Sequence, residues 1–488
     1  MSLRSFGQWD AVPFDHPREE CGVVGIYSPG AHSATLTAIG LFALQHRGQE
    51  SAGVAAAEDG TIRVHTGMGL VSEAFHDGDL DRITGHMAVG HTRYSTTGSS
   101  DACNAQPLLV DGCNGKLAVA HNGNIINAVQ LREQLRARWD CQFETTTDTE
   151  VIAHLLANSP GTAWPERLFS GMRMMQGAFS LALLTPTALI AARDPLGIRP
   201  LCLGRLPADN GSGWVFASET CALDHMQAEF VRELEPGEVV VITGDGIYSE
   251  VYRGEKQRDR ALCVFEWIYF ARPDSMMDDR LMHTVREEMG AELAREHPAD
   301  ADLVIGIPDS STSAAVGFAR ESGIPFANGL VRNRYVGRTF IEPEQQRRDR
   351  GVRQKFNPMP AVLRGKRLVV VDDSIVRGTT TPHVVELLRR AGASEIHLRV
   401  CAPPIKHPCY LGVDMATRQE LIAANKSIEE IRELTGADTL GYLSVGGLMG
   451  VAKPGNAQGG FCDACFTGNY PVPVQLDFSK MALERAAS

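Results

Sequence analysis

The sequence predicts an α+β domain followed by an α/β domain built on a parallel sheet, and three observations carry that expectation. The chain has 488 residues, more than one core usually supports at roughly 100–200 residues per domain. From Cys21 to about Tyr252 it runs in short β-like segments broken by Gly, Pro and Asn, with two helical stretches among them. Beyond the polar run Arg253–Arg260 the rhythm changes to continuously apolar strands alternating with helices, the pattern of a buried parallel sheet. The expected boundaries are a leading segment at 1–20, domains at 21–255 and 261–470, and a tail at 471–488.

In the first domain CGVVGIY, MAVGHTRYST, KLAVAHNGNI, AFSLALLT and ALIAARDPLG read as strands. One helix spans Ala128 to Trp139, with Val129, Leu131 and Leu135 apolar; another starts near Thr147 and places Val151, Ile152, Leu155 and Leu156 on one face. Thr147 and Glu150 have the spacing of a capping box. The run Arg253–Arg260 has the composition of an interdomain connection. In the second domain a helix over Leu281–Glu296 precedes the strand LVIGIPDS. A polar loop from Tyr335 to Lys355 follows, then the strand RLVVVDDS, the helix HVVELLRRAG and the strand EIHLRV.

Composition excludes several classes. Hydrophobic residues at 43% and charged residues at 22% are ordinary for a globular protein. A net charge of −12 opposes binding to a nucleic-acid backbone, so an anionic small molecule would need a local basic pocket. No apolar run approaches the ~18 residues that cross a bilayer, and the first twenty residues carry charges and prolines where a signal peptide needs an apolar core. A cytoplasmic address without membrane contact is expected. Eleven cysteines, odd in number and scattered, suggest metal or catalytic thiols rather than a disulfide framework.

Cys21 opens the apolar strand CGVVGI directly behind Glu19 and Glu20, and by itself it reads as a buried strand thiol. Downstream, in order, come HRGQESAG (His46 to Gly53), HTRYST (His91 to Thr96), HNGNI (His121 to Ile125), TTDTE (Thr146 to Glu150) and RDPLGIRPL (Arg193 to Leu201). This ordered set resembles the N-terminal-nucleophile glutamine amidotransferases, a class II, αββα fold whose nucleophile is a first-residue cysteine. The resemblance implies removal of the leader and attack of the Cys21 thiolate on the glutamine carboxamide. The nucleophile's own α-amino group, with a pKa of about 7.7–8.0, would serve as base. It further implies that the Asn122 side chain and the Gly123 backbone N–H stabilise the oxyanion from a turn. Arg93 would pair with the glutamine α-carboxylate and Asp148 with its α-ammonium. Asp148 also fits a plain first-turn acid, HNG a plain turn, and His46 and His91 structural roles.

In the second domain RLVVVDDSIVRGTTT places small and polar residues at the carboxyl end of a parallel strand, where anions bind. Gly378 permits close backbone approach, and Thr379, Thr380 and Thr381 offer hydroxyls and N–H groups to a monophosphate at a helix N-terminus. Asp372 and Asp373 suit ribose hydroxyls and a magnesium ion; Asp373 or Ser374 would also suit a plain helix cap. The string, including Ser374 and Arg377, resembles the type I phosphoribosyltransferases. GIPDSST (Gly306 to Thr312) would then form a pyrophosphate loop with Ser310 near the same magnesium, and the Arg-rich loop ending at Lys355 would close over pyrophosphate.

EWIYFARPDS and RYVGRTFI add a resemblance to the amidophosphoribosyltransferases, which join these two halves. The family implies glutamine and phosphoribosyl pyrophosphate as substrates in the step that opens purine nucleotide synthesis, with purine nucleotides as feedback inhibitors and a homotetrameric assembly. Cys462 and Cys465 form a C-x-x-C. With Cys263 and Cys409 they match the positions through which iron-sulfur members with a leader hold a [4Fe-4S] cluster, although four thiolates also suit zinc. Cys401 matches none of these positions and reads as a strand residue. A sugar isomerase or an ATP pyrophosphatase in place of the second half would signal a different amidotransferase. A phosphoribosyltransferase-fold regulator would not need the first half.

Overall fold

The computed structural model describes residues 21–30, 32–94, 101–207, 213–254, 259–333, 356–415, 417–453, 460–474 and 483. The leader 1–20, the loop Tyr335 to Lys355 and most of the tail lie outside them, and so does Lys355. The chain divides into two compact units. One comprises Glu19–His283, Cys409–Asp414 and Asn456–Ser488; the other comprises Thr284–Pro408 and Met415–Gly455. Among the described residues no helix is long and apolar enough to cross a membrane.

The first unit holds two antiparallel sheets. In the seven-stranded sheet the order is Glu229–Glu233, Cys202–Arg205, Trp214–Ala217, Gly22–Tyr27, Met87–Arg93, Ser51–Glu58 and Thr61–Met68. In the six-stranded sheet it is Gly246–Val251, Glu238–Thr243, Leu189–Arg193, Gly177–Leu184, Gly115–Ile125 and Leu108–Gly112. Strand side chains alternate between faces, and the buried clusters show where each face goes. Val23, Ala55 and Val89 of one sheet pack with Ala120, Ala182 and Val240 of the other. Val24, Ile26 and Val54 instead face the helix Ser33–Ala43 through Leu41. Leu181, Leu183 and Val241 face the helices Ala128–Trp139 and Asp148–Asn158. The result is four layers, helix–sheet–sheet–helix. Strands buried on both faces explain why the segments read as unbroken apolar runs.

Two local expectations fail here. HNG is not a turn: His121, Asn122 and Gly123 continue the strand Gly115–Ile125, in register with Leu181, Ser180 and Phe179. The capping box is also absent, because Thr147 makes no side-chain cap. The Glu150 carboxylate is taken by Glu144 N at 2.7 Å, Thr145 N at 2.9 Å and Thr145 Oγ1 at 2.8 Å.

The second unit is a four-stranded, all-parallel sheet in the order Leu303–Gly306, Arg367–Asp372, Glu395–Val400 and Thr439–Tyr442. Leu368 and Val370 pack with Ile396, Leu398, Val384 and Leu388, the last two from the helix Thr381–Arg390. The expected helix before the first strand spans Met282–Glu296.

Candidate active sites

Cys21 is the residue before the strand Gly22–Tyr27, whose antiparallel neighbour is Met87–Arg93. That pairing brings the end of one strand to the start of the other. The Cys21 thiol donates to Tyr94 O at 3.4 Å, and burial pushes it up to about 11 against the pull of Arg93. It is therefore a protonated thiol at neutral pH, and its reaction requires a base. The nearby imidazoles are poor candidates. Burial lowers His91 to about 3 and lowers His121 against the attraction of Asp148.

A cavity brings together four of the predicted residues, Cys21, Arg93, Gly123 and Asp148. Arg93 is buried and lies 3.8 Å from Glu50 in an ion pair. Asp148 opens the helix Asp148–Asn158 and accepts from Ile125 N at 2.9 Å, so one carboxylate both clamps the end of the strand and faces the cavity. Gly123 has φ +144°, and a Cβ there would lie 2.0 Å from Ala178 O, so only glycine fits. Asn122 is fully buried, and neither polar atom of its side chain has a hydrogen-bond partner among the described residues. Leaving a buried amide unpaired costs about 1–3 kcal/mol, a cost that a donor kept for a ligand would recover on binding.

The cavity also includes residues to which sequence reasoning assigned nothing. Gln106 donates to Thr149 Oγ1 at 2.9 Å and accepts from His121 N at 2.9 Å, which links the loop, the helix and the strand around the site. A lone Gln in a loop carries no local signal for this. His46 and His91 have the structural parts expected of them: His46 Nε2 lies 2.7 Å from buried Glu219, and His91 Nε2 3.0 Å from His121 O.

In the second unit the strand Arg367–Asp372 ends on the acidic pair, and the chain then turns through Gly378, at φ +69°, into the helix beginning at Thr381. Asp373 accepts from the hydroxyls of Ser310 and of Ser374, the latter at 2.8 Å, while Asp372 Oδ1 accepts from Asp373 N at 2.9 Å. The two strand ends named from sequence therefore meet through Ser310 and Asp373. Arg377 lies 3.6 Å from Glu420. Cys401 follows the strand Glu395–Val400 and is buried, its thiol pushed up by burial and by Asp373 and Asp372.

The four cysteines of the expected cluster, Cys263, Cys409, Cys462 and Cys465, all fall in the first unit, since Cys409 belongs there with Cys409–Asp414. Cys263 and Cys462 are direct partners on two short parallel strands. Burial pushes each of these thiols up to about 12, and neighbouring Cys409 raises both. Cys465 is pushed well above its usual value by burial and by the other three. Four thiols in one neighbourhood, Cys263 and Cys465 buried and Cys409 and Cys462 half-buried, are a donor set suited to a metal cluster. Nevertheless, among the described residues no group of three or more His, Cys, Asp or Glu side chains stands in a geometry that could hold a metal ion.

Residues 91–225 match a glutamine amidotransferase domain and residues 285–428 a phosphoribosyl transferase domain. The chain is 49% identical to an amidophosphoribosyltransferase of Synechococcus elongatus over 96% of this chain and 95% of that protein. It is 46% identical to that of Bacillus subtilis over 94% and 95%. Among solved structures it resembles the glutamine phosphoribosylpyrophosphate amidotransferase of B. subtilis complexed with ADP and GMP. The TM-score is 0.87 at 45% identity, covering 94% of this chain and 99% of the other. The chain belongs to the amidophosphoribosyltransferases.

Proposed function

We propose that Cys21 is the nucleophile of a glutaminase site in the first unit, and that Asp372, Asp373 and the segment Ser374–Thr381 bind phosphoribosyl pyrophosphate in the second. As a member of its family the chain makes 5-phosphoribosylamine, glutamate and pyrophosphate from phosphoribosyl pyrophosphate, glutamine and water, the first committed step of purine nucleotide synthesis. The observation that carries the glutaminase assignment is the cavity where Cys21, Arg93, Gly123 and Asp148 converge from separate segments.

In this reading Arg93 and Asp148 hold the α-carboxylate and α-ammonium of glutamine, which leaves its amide facing Cys21. Asn122 and Gly123 N–H donate to the oxyanion as it forms. The proton of the buried thiol passes to the α-amino group of Cys21, which is free to act as base only once residues 1–20 are cleaved off. In the second unit Thr379, Thr380 and Thr381 receive the 5-phosphate at the helix N-terminus, and Asp372 and Asp373 hold the ribose hydroxyls. A magnesium ion near Ser310 and the acidic pair would neutralise the leaving pyrophosphate. Lys355, outside the described residues, would contact the same substrate. A [4Fe-4S] cluster on Cys263, Cys409, Cys462 and Cys465 would tie distant segments together; the pairing of Cys263 with Cys462 on adjacent strands supports this reading. The reading also includes a homotetramer in the cytoplasm, inhibited by purine nucleotides.

The test is direct. Cys21→Ala is expected to abolish phosphoribosylamine synthesis from glutamine and to retain synthesis from added ammonia, and fully active enzyme is expected to begin at Cys21 by intact mass. Full activity with residues 1–20 still attached would refute the base assignment.

A further inference from the structure

The segment Cys409–Asp414 is remote in sequence from the glutaminase half, yet it is built into that unit, against the strand that carries Asn122 and Gly123. Three contacts hold it there. Asn124 Nδ2 donates to Tyr410 O at 2.8 Å. Arg199, fully buried, donates to Leu411 O from Nε at 3.2 Å and from NH2 at 2.6 Å. Gly412, at φ +109°, lies so close that a Cβ on it would stand 2.9 Å from Gly123 Cα, Gly123 C and Arg199 NH2.

Arg199 is itself tied to the same strand pair. Its carbonyl accepts from Ser180 Oγ at 3.3 Å and Arg193 Nε at 2.8 Å, and Ser180 is the register partner of Asn122. Gly123 thus has two close neighbours: a Cβ of its own would meet Ala178 O, and a Cβ on Gly412 would meet Gly123 itself. A backbone N–H that must point at a developing oxyanion gains from such close packing. Catalysis by fixed dipoles depends on their being held before the charge appears, and a displacement of about 1 Å can cost 10²-fold.

We infer that Tyr410–Gly412, held by Arg199 and Asn124, is a strap that positions the Asn122–Gly123 oxyanion donors. Arg199, Asn124 and Gly412 act as positioning residues for glutamine hydrolysis. This rests on reading Asn122 and Gly123 as the oxyanion donors.

The test uses the full-length enzyme, with Gly412→Ala as the perturbation and Cys21→Ala in parallel. Gly412→Ala is expected to lower kcat for glutamine hydrolysis by about 10²-fold, to leave KM for glutamine within about twofold, and to keep the ammonia-driven rate. A kcat within about twofold of the parent, or a parallel fall of the ammonia-driven rate, overturns the strap. Should Gly412→Ala not fold, Asn124→Ala decides by the same split, since it deletes the amide to Tyr410 O without adding a clash; about a tenfold loss of kcat alone is expected. Survival of glutamine hydrolysis in Cys21→Ala would overturn the underlying site instead. Its loss beside an unimpaired Gly412→Ala would overturn the strap alone.

Discussion

Replacing Arg47 by methionine leaves two carboxylates in the interior of the first unit without the cation that joins them. The Arg47 side chain is 1% exposed and those of Glu219 and Glu266 are 0%. Its Nε donates to Glu219, and NH1 and NH2 donate to Glu266 at 3.2 and 2.5 Å. After the substitution Glu219 keeps His46 at 2.7 Å, Ser275 Oγ at 2.6 Å and Arg272 N at 2.8 Å, and Arg199 NH1 lies 3.9 Å from Glu266. Breaking a buried pair from one side costs about 3–5 kcal/mol. At about 2–4 °C per kcal/mol for a unit of this size, that is a fall in Tm of about 6–20 °C. The sign with pH follows from Glu219. Burial alone would push Glu219 up, but Arg47 and His46 outweigh it and hold it well below its ordinary value. In the parent this stability is present above the unfolded pKa of about 4.5 and is lost only as pH falls through the lower folded value. In the variant burial is opposed far less, so the folded value moves up and stability falls as pH rises above about 4.5. Scanning calorimetry of parent and Arg47→Met should therefore show a larger gap near pH 8 than near pH 5. An equal gap at both, or one below about 2 °C, would refute the reasoning.

Gly123→Ala forces a Cβ to within 2.0 Å of Ala178 O, so the strand must shift, and with it the N–H proposed to face the oxyanion; glutamine-dependent kcat should fall about 10²–10³-fold with ammonia-driven synthesis retained, and an unchanged kcat would contradict the role proposed for the strand end. Asp372→Asn keeps the Oδ1 acceptor for Asp373 N, now 2.9 Å away, but removes the charge. Steady-state kinetics should show a fall of about 10²-fold in ammonia-driven synthesis, and a parent-like rate would remove Asp372 from the substrate site. Anaerobically purified protein should be brown with about four irons per chain and should lose colour, iron and thermal stability together in Cys465→Ser; a colourless, zinc-loaded and fully active parent would exclude the cluster.

Much of the architecture is legible in the sequence, because it is encoded over short distances. The continuous run Leu368–Val371 marked a strand covered on both faces, and it lies at 0% exposure inside a parallel sheet. The apolar face of Val151, Ile152, Leu155 and Leu156 marked a helix, and all four are fully buried against the six-stranded sheet. The family resemblance, rather than any local pattern, assigned the GIPDSST and VVVDDS strand ends to one site, and the structure has them at the carboxyl ends of adjacent parallel strands.

What tertiary structure decided involves choices among partners that local chemistry leaves equal. HNG has the composition of a turn, but cross-strand pairing with Leu181, Ser180 and Phe179 draws it into the sheet. Glu150 has the spacing to cap its helix, but Thr145 and the backbone before the helix claim it first. Arg47 finds Glu219 and Glu266 across 172 and 219 residues, and Cys409–Asp414 leaves its sequence neighbours to join the glutaminase unit. No periodicity records such pairings. They arise because a buried charge or an unpaired carbonyl must be satisfied by whichever group packing brings within reach, and packing is settled only when the whole unit folds.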